Sequence, residues 1–167
     1  LGRVLAEKGE RGNAVEAFDK ALRLRKDNAE AISHYAMALQ KFGCGKEAVS
    51  QIRKACALEP ESVEHQTNLA AILEQEKRYV DALAAYGKAS RMNPDIGYVW
   101  FRQGKLLNGL QRYAEAVPVL KKAVALPGRF GEFHYELGLA LHKTKHFPEA
   151  LDQYEQALSA GYNLSLI

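Results

Sequence analysis

Alanine returns at a fixed interval along this chain. Two alanine columns keep a step of thirty-four residues, and their members are Ala14, Ala48, Ala82, Ala116 and Ala150 in the first and Ala21, Ala55, Ala89, Ala123 and Ala157 in the second. A small residue that recurs at one position marks a place where two helices cross too closely for a larger side chain. A period of about 34 residues is that of a repeated helix-turn-helix element. The columns therefore predict a stack of similar repeats.

Larger residues keep the same step as the alanines. One column contains only leucine and another contains bulky apolar residues: Leu5, Leu39, Leu73, Leu107 and Leu141, and Phe18, Ile52, Tyr86, Leu120 and Tyr154. No insertion or deletion interrupts the register. Apolar residues within each repeat recur at helical spacing, which predicts two amphipathic helices per repeat. Neither helix can bury its apolar stripe alone, so the repeats must pack against one another.

Further positions complete a known repeat pattern. They hold small, bulky or helix-breaking residues in the expected slots: Leu1-Gly2, Tyr79, Trp100, Gly104, Tyr113, Leu137-Gly138, Phe147, Pro60 and Pro94. With these residues the chain resembles the tetratricopeptide repeat (TPR) family. The resemblance implies an all-α fold, a right-handed α-solenoid of about five TPR helix-turn-helix repeats. It implies little about a partner, because the matching residues are those that pack the stack.

The period also predicts where each repeat begins and ends. Whole repeats are expected at 29–62, 63–96, 97–130 and 131–164, with a partial repeat at 1–28 and the start of a further helix at 165–167. We therefore expect a single TPR array over 1–167. Because the first repeat lacks its opening residues, the array is expected to be a fragment of a longer protein.

Prolines predict several helix boundaries. Pro60 and Pro94 should end the second helices of their repeats, and Pro127 should do the same in the next one, because proline lacks the helical N–H and restricts the preceding residue. Pro148 suits the first turn of a helix, where a missing N–H costs little. Pro118 falls inside a helix and predicts a slight bend.

Composition excludes several classes of partner. The net charge is only +3, with acidic and basic residues interleaved, so neither nucleic acid nor an anionic membrane is an expected partner. No apolar run approaches the roughly 20 residues of a membrane span, so membrane insertion is not expected. Cys44 and Cys56 lie at opposite ends of one predicted helix, beyond disulfide reach. Free thiols fit a cytoplasmic location.

The resemblance also places candidate partner-binding residues. In TPR proteins the first helices line a concave groove, and on this pattern the groove residues are His34, Asn68, Tyr98, Phe101, Arg102, Lys105, Tyr135 and Glu136. The aromatic residues are expected to anchor a peptide or helical segment of a protein partner. Arg102 and Lys105 are expected to contact a carboxylate. The alternative is that these residues are the solvated and half-buried positions that every helix has.

The groove residues can also be compared with those of a known carboxylate-binding groove. Some TPR domains bind a terminal carboxylate through a clamp of lysines, asparagines and an arginine. Asn68 and Arg102 match two of its positions, but Ser33, Met37 and Tyr98 occupy the others. A complete clamp is therefore not expected, because its affinity depends on several charged contacts acting together.

Catalytic and metal sites are not predicted. The chain has no glycine-rich phosphate loop and no nucleophile motif, so it is interpreted as a non-enzyme without a cofactor. His142 and His146 have the spacing of paired metal ligands. His146 falls in a turn and no carboxylate completes the set, so no metal site is expected.

The sequence thus predicts a non-catalytic protein-interaction scaffold. Two alternatives stay open. The chain could be the substrate-recruiting arm of a larger enzyme such as a glycosyltransferase. It could instead be a self-assembling oligomerisation module that associates through uncapped ends, where Leu164, Leu166 and Ile167 expose apolar surface.

Overall fold

The computed structural model describes residues 1–128 and 130–162, and all regular structure in this part is helical. Ten helices follow one another here: α1 (Gly2–Glu7), α2 (Arg11–Leu24), α3 (Ala29–Lys41), α4 (Gly45–Leu58), α5 (Val63–Gln75), α6 (Tyr79–Met92), α7 (Gly97–Gly109), α8 (Tyr113–Ala125), α9 (Gly131–Lys143) and α10 (Phe147–Ser159). The chain divides into two compact bodies, an N-terminal body (Leu1–Met92) and a C-terminal body (Asn93–Ile167). The expectation of one continuous array over both bodies stays a prediction.

Helix boundaries follow the predicted signals. Helices α4 and α6 end shortly before Pro60 and Pro94, and Pro148 occupies the first turn of α10. Helix α8 continues through Pro118 over its whole length. The side chain of Asn28 caps α3 by accepting a hydrogen bond from the backbone N–H of Ala31 at 2.9 Å. Such a cap satisfies one of the donors that a helix leaves free at its start.

Each repeat pairs its two helices, and each pair packs on the next. In the N-terminal body the pairs are α1 with α2, α3 with α4 and α5 with α6, and in the C-terminal body they are α7 with α8 and α9 with α10. Second helices also pack on the first helix that follows, as α2 does on α3, α4 on α5 and α8 on α9. First helices adjoin one another, α3 with both α1 and α5, and α7 with α9.

Small residues on the first helices face large residues on the second helices. A Cβ atom on Gly104 would lie 2.4 Å from Cγ of Leu120, and one on Gly138 would lie 2.8 Å from Cδ1 of Tyr154. The Leu120 side chain is fully buried, so it has no free space into which to move. Glycine is therefore required for the close approach of α7 and α8, and of α9 and α10.

The alanine columns are buried with one exception. The first column and Ala55, Ala89, Ala123 and Ala157 of the second are at most 2% exposed, which fits the predicted helix crossings. A Cβ atom built on Gly97, the first residue of α7, would lie 3.3 Å from the backbone carbonyl oxygen of Ala123. One built on Gly131, the first residue of α9, would lie 2.9 Å from the backbone carbonyl oxygen of Ala157. Ala21 is exposed, so the structure does not show the crossing that its column predicts.

The turns inside the repeats share a left-handed backbone conformation. The residue with positive φ recurs at the same repeat position, and its values are 79° at Gly9, 76° at Gly43, 59° at Lys77, 59° at Gln111 and 67° at Lys145. The next residue donates its N–H to a column leucine, as Arg78 does to the Leu73 carbonyl at 2.8 Å. This bond ends the first helix in a Schellman-type cap. Lysine and glutamine carry a steric cost here that glycine does not.

We predict that Ala123→Leu destabilises the protein, whereas Ala21→Leu leaves its stability nearly unchanged. Both changes preserve helix propensity, but Ala123 is 1% exposed and the added volume overpacks the crossing, at a cost of about 1–3 kcal/mol. Urea unfolding monitored by circular dichroism measures the difference. Equal stability losses in the two variants would contradict the account of the crossings.

We also predict that Lys77→Gly raises the free energy of unfolding by roughly 1 kcal/mol, because glycine removes the left-handed strain at this turn. The reverse change at the equivalent position, Gly43→Lys, should lower the free energy of unfolding by a similar amount. Chemical denaturation of both variants tests this. A destabilised Lys77→Gly protein would show that the turn is not strained.

Candidate functional site

The predicted contact residues lie on the first helices of the repeats. These helices are α1, α3 and α5 in the N-terminal body, and α7 and α9 in the C-terminal body. We call their solvent-facing surface the first-helix face. The predicted residues divide by exposure. Tyr98 and Lys105 are exposed, His34, Asn68, Arg102 and Tyr135 are half-buried, and Phe101 and Glu136 are buried.

Tyr98 is the large aromatic residue that α7 offers to solvent, with half of its surface exposed. Arg102, one turn further along α7, donates a hydrogen bond from Nη1 to the Tyr98 hydroxyl at 3.0 Å. The guanidinium carbon also lies 5.9 Å from the centroid of the Tyr98 ring. These two contacts hold an exposed ring in a defined position, so it presents a pre-formed apolar surface beside a cation.

Lys105 lies one further turn along α7 and is paired within the protein. Its Nζ contacts Oε1 of Glu132 on α9 at 2.5 Å and lies 5.6 Å from the centroid of the Phe101 ring. Burial lowers the pKa of Lys105, but the hydrogen bond and charge of Glu132, with that of Glu136, outweigh it and leave the pKa raised. Lys105 is therefore a charged residue whose charge is already partly balanced.

Phe101 does not present the exposed ring that its predicted anchoring role needs. Its side chain is 3% exposed, and its ring stacks on Phe133 of α9 with centroids 4.2 Å apart. Phe133 in turn stacks on Phe130 at 4.6 Å. Phe101 is thus a packing residue between α7 and α9. The sequence places it on the correct helix but does not show that Phe133 covers it.

Glu136 is likewise not a surface charge. It is 8% exposed, and Nδ2 of the buried Asn108 donates to its Oε2 at 2.8 Å and to its backbone carbonyl at 2.9 Å. Burial raises the pKa of Glu136, although the Asn108 hydrogen bond and the charge of Lys105 oppose this shift. The residue joins two neighbouring first helices instead of facing a partner.

Tyr135 forms part of an aromatic cluster on the C-terminal body. Its ring centroid lies 5.1 Å from that of Tyr162 and 6.0 Å from that of Tyr154. Burial raises the pKa of Tyr135, with smaller contributions from Tyr162 and Glu136. Tyr135 therefore keeps its hydroxyl proton at neutral pH and offers a neutral, half-buried ring edge.

The N-terminal body carries the other two predicted residues. Asn68 donates a hydrogen bond from Nδ2 to Oγ of the buried Ser33 at 3.1 Å, which links α5 to α3. His34 lines a cavity of about 540 Å³ on the first-helix face. The apolar part of this cavity consists of Ala6, Met37 and Ala38. Its polar edge consists of Arg3, Glu7, Gln40, Lys41 and Gln75.

Two contributors were missed by the sequence interpretation, and one of them has a signal in the repeat register. Glu132 stands at the repeat position of Glu30, Glu64 and Tyr98. This column is acidic except in the repeat where tyrosine replaces the carboxylate. Comparing the columns would have marked Tyr98 as the exception and Glu132 as an acidic residue on the same helix face, but it would not have shown the contact of Glu132 with Lys105. Tyr162 lies outside the helices and has no such signal.

The remaining predictions concern ligation and self-association. His142 is exposed and edge-on to Phe147, while Nδ1 of His146 lies 3.0 Å from the Thr144 hydroxyl. No group of three potential metal ligands occurs in the described residues. Cys44 and Cys56 are free thiols. The expected self-association depended on Leu164, Leu166 and Ile167, which lie outside the described residues.

Comparison with known proteins identifies the family. Sequence models of the tetratricopeptide repeat match residues 1–28, 34–95, 78–130 and 101–163. These matches cover most of the chain, which therefore belongs to the tetratricopeptide repeat family. Members of this family are typically non-catalytic and bind protein partners, so membership supports a protein-interaction role. No curated protein is significantly similar to the chain.

Solved structures share the fold. A crystal structure of MamA superimposes with a TM-score of 0.84 at 19% identity, over 96% of this chain and 94% of that chain. The pilF protein of Pseudomonas aeruginosa gives a TM-score of 0.84 at 23% identity, over 96% of this chain and 73% of that chain. At such identities the likeness bears on fold alone, and it confirms the predicted all-α TPR solenoid class. Among residues 1–128 and 130–162, no helix has the length and apolarity that a membrane crossing requires.

We predict that Glu136→Gln stabilises the protein at neutral pH and that the gain disappears in acid. The pKa of Glu136 is raised in the folded state, so its neutral form is favoured there and ionisation costs stability as pH rises through the folded pKa. Glutamine stays neutral throughout. Urea unfolding of both proteins from about pH 8 down to about pH 3.5, below the ordinary glutamate pKa of about 4.3, measures the effect.

The control for this prediction is Glu115→Gln, which should act in the opposite direction. The Arg112 hydrogen bond lowers the pKa of Glu115, so this carboxylate contributes stability above its unfolded pKa and loses it as pH falls through the folded pKa. A stability difference between Glu136→Gln and the unmodified protein that does not change with pH would contradict the interpretation of Glu136.

Proposed function

We propose that this chain is a non-catalytic protein-interaction scaffold that binds a peptide or helical segment of a protein partner on its first-helix face. The coarse part of this function follows from the family. The finer part, recognition on this face, is the proposal. We propose in addition that the repeats at 1–28, 29–62, 63–96, 97–130 and 131–164 form one array, which would present several copies of the face to one partner.

The observation that carries the proposal is the fixed, exposed Tyr98 ring. Half of Tyr98 is open to solvent, and Arg102 holds it through its hydroxyl. A tyrosine ring provides a large contact area at low cost in side-chain entropy, and immobilisation before binding lowers that cost further. The column comparison supports a special role, since the equivalent positions Glu30, Glu64 and Glu132 are acidic.

The charged residues beside Tyr98 have a narrower role than the sequence predicted. A partner carboxylate that approaches Lys105 must compete with Glu132, which lies 2.5 Å from the ammonium. A basic partner group can equally compete with Lys105 for Glu132. The ion pair of Lys105 and Glu132 can interact with a partner group of either charge. We therefore propose that Lys105 orients the partner segment and that Tyr98 provides most of the affinity.

Other predicted residues differ in how well they suit this proposal. Tyr135 adds a half-buried ring edge, and His34 borders the 540 Å³ cavity, whose apolar part can accept an aliphatic side chain. Asn68 can contact a partner only at its exposed edge, because its amide bonds Ser33. Phe101 and Glu136 are too buried to contribute directly.

Selection of a random peptide library displayed on phage against the 167-residue chain tests the proposal. Enriched peptides are then synthesised, and their affinity for the unmodified protein and for Tyr98→Ala is measured by isothermal titration calorimetry. We expect Tyr98→Ala to weaken binding by at least about tenfold, equivalent to ~1.4 kcal/mol, with unchanged helicity.

The matched control is Tyr113→Ala, which removes a half-buried tyrosine from α8, a second helix of the same body. This variant should bind the selected peptides as the unmodified protein does. A library that yields no binder would contradict the proposal. Peptides that bind Tyr98→Ala at full affinity, or that lose affinity only with Tyr113→Ala, would do so too.

A further inference from the structure

Helix α4 has a basic cleft on its solvent-facing side. The cleft has a volume of about 470 Å³, and α4 alone lines it, with Lys46, Val49, Ser50, Arg53, Lys54 and Ala57. These residues follow the i, i+3, i+4, i+7 spacing that places side chains along one side of a helix. All of them except the buried Val49 are exposed. We call these six residues the α4 cleft.

The three cations of the α4 cleft are not neutralised within the described part of the chain. Lys46, Arg53 and Lys54 form no ion pair with any other residue among 1–128 and 130–162. By contrast, Arg112 beside α8 and Lys121 within it each pair with a glutamate. An acidic group that approaches the α4 cleft therefore does not have to displace a carboxylate of these residues, as it must at Lys105.

The repeat register shows that packing does not require this cluster of charges. At the positions of Lys46, Arg53 and Lys54, no other repeat has three basic residues. The equivalent residues are Gly12, Asp19 and Lys20 in α2, Val80, Gly87 and Lys88 in α6, Ala114, Lys121 and Lys122 in α8, and Pro148, Glu155 and Gln156 in α10. Side chains of every charge and size are tolerated at these positions, so the three cations are a feature of one repeat and not of the fold.

Other charges also act on α4. Burial raises the pKa of the Cys56 thiol on α4, and the positive charge of Lys88 on α6 opposes this shift. Lys88 therefore adds a cation within electrostatic range of the later turns of α4. The acidic residue of α4 is Glu47. Burial raises the pKa of Tyr35 on α3, and the negative charges of Asp19 and Glu47 add to that shift. The acidic groups around α4 thus include two near Tyr35, whereas the α4 cleft itself contains only basic ones.

The spacing of the cations favours a particular form of ligand. Lys46 and Lys54 are eight residues apart, which corresponds to about 12 Å along a helix axis. In an extended peptide every second side chain lies on one face, so acidic residues at i, i+2 and i+4 spread over roughly 13 Å. The two outer carboxylates of such a peptide match Lys46 at one end of the α4 cleft and Arg53 with Lys54 at the other. The Ser50 hydroxyl between them can donate a hydrogen bond to the middle carboxylate.

We propose that the α4 cleft binds an extended acidic segment of a protein partner, with aspartate or glutamate at alternate positions. Charge-assisted hydrogen bonds from the two lysines and the arginine would hold the carboxylates. A nucleic-acid backbone matches this surface less well, because its binding draws on a broader basic face and the net charge of the chain is only +3. The α4 cleft shares no residue with the first-helix face, so this proposal and the proposed function can fail independently.

Fluorescence anisotropy of a labelled peptide in the presence of the 167-residue chain tests the proposal. The probe is an end-capped peptide in which glutamate alternates with serine, and the comparison peptide has glutamine in place of glutamate. At an ionic strength of about 0.01 M, where screening is weak, the chain should bind the glutamate peptide and not the glutamine peptide. Arg53→Glu and Lys54→Glu should each weaken binding by at least about tenfold, because each removes a contact and places a like charge against the peptide.

The matched control is Lys122→Glu, which makes the same change of charge at the Lys54 position of a later repeat. It should bind the glutamate peptide as the unmodified chain does, and circular dichroism checks that every variant keeps its helicity. The neutral variants Arg53→Gln and Lys54→Gln should give intermediate affinities. Equal weakening by Lys122→Glu would indicate general charge attraction and would overturn the proposal. So would an unmodified chain that does not bind the glutamate peptide, or displacement of that peptide at lower concentration by a single-stranded oligothymidine of equal charge.

Discussion

The structure depends on the close contact between a small residue on each first helix and a large residue on its second helix. Gly104 lies under Leu120 and Gly138 lies under Tyr154, with no room for an added Cβ. Overlap of this kind fixes both the distance between the two helices and their register. The second helix keeps apolar surface that its own first helix does not cover, and the first helix of the next repeat buries it. Stacking of repeats therefore follows from the way the two helices of each repeat pack together.

Residues that make these contacts could be predicted from the sequence, because packing requires the same side-chain size at the same position in every repeat. For that reason the helix pairs could be predicted from the alanine and leucine columns and from the prolines that end helices. Ala21 is exposed although the other members of its column are buried, so a place in the column does not by itself determine burial. Periodicity shows which face of its own helix a residue occupies, but it does not show which residues of a neighbouring helix cover it.

The candidate site was harder to predict for the same physical reason. Helical spacing placed Tyr98 and Phe101 on one helix but could not show that Phe133 buries the second ring. It predicted that Arg102 and Lys105 lie near the surface. It could not predict that Arg102 contacts Tyr98 or that Lys105 contacts Glu132. The left-handed turns were also missed, because Lys77, Gln111 and Lys145 replace the glycine that normally signals that backbone. Side chains from the adjacent repeat decide what a groove position can offer.

The buried bond between Asn108 and Glu136 has a consequence beyond its contribution to stability. It joins α7 to α9, and so it couples two consecutive repeats. In a linear array, the free energy between neighbours sets how far the opening of one repeat spreads to the next. Ionisation of the Glu136 carboxyl changes this nearest-neighbour energy. Because burial raises the pKa of Glu136, we expect the cooperativity of unfolding in the C-terminal body to depend on pH.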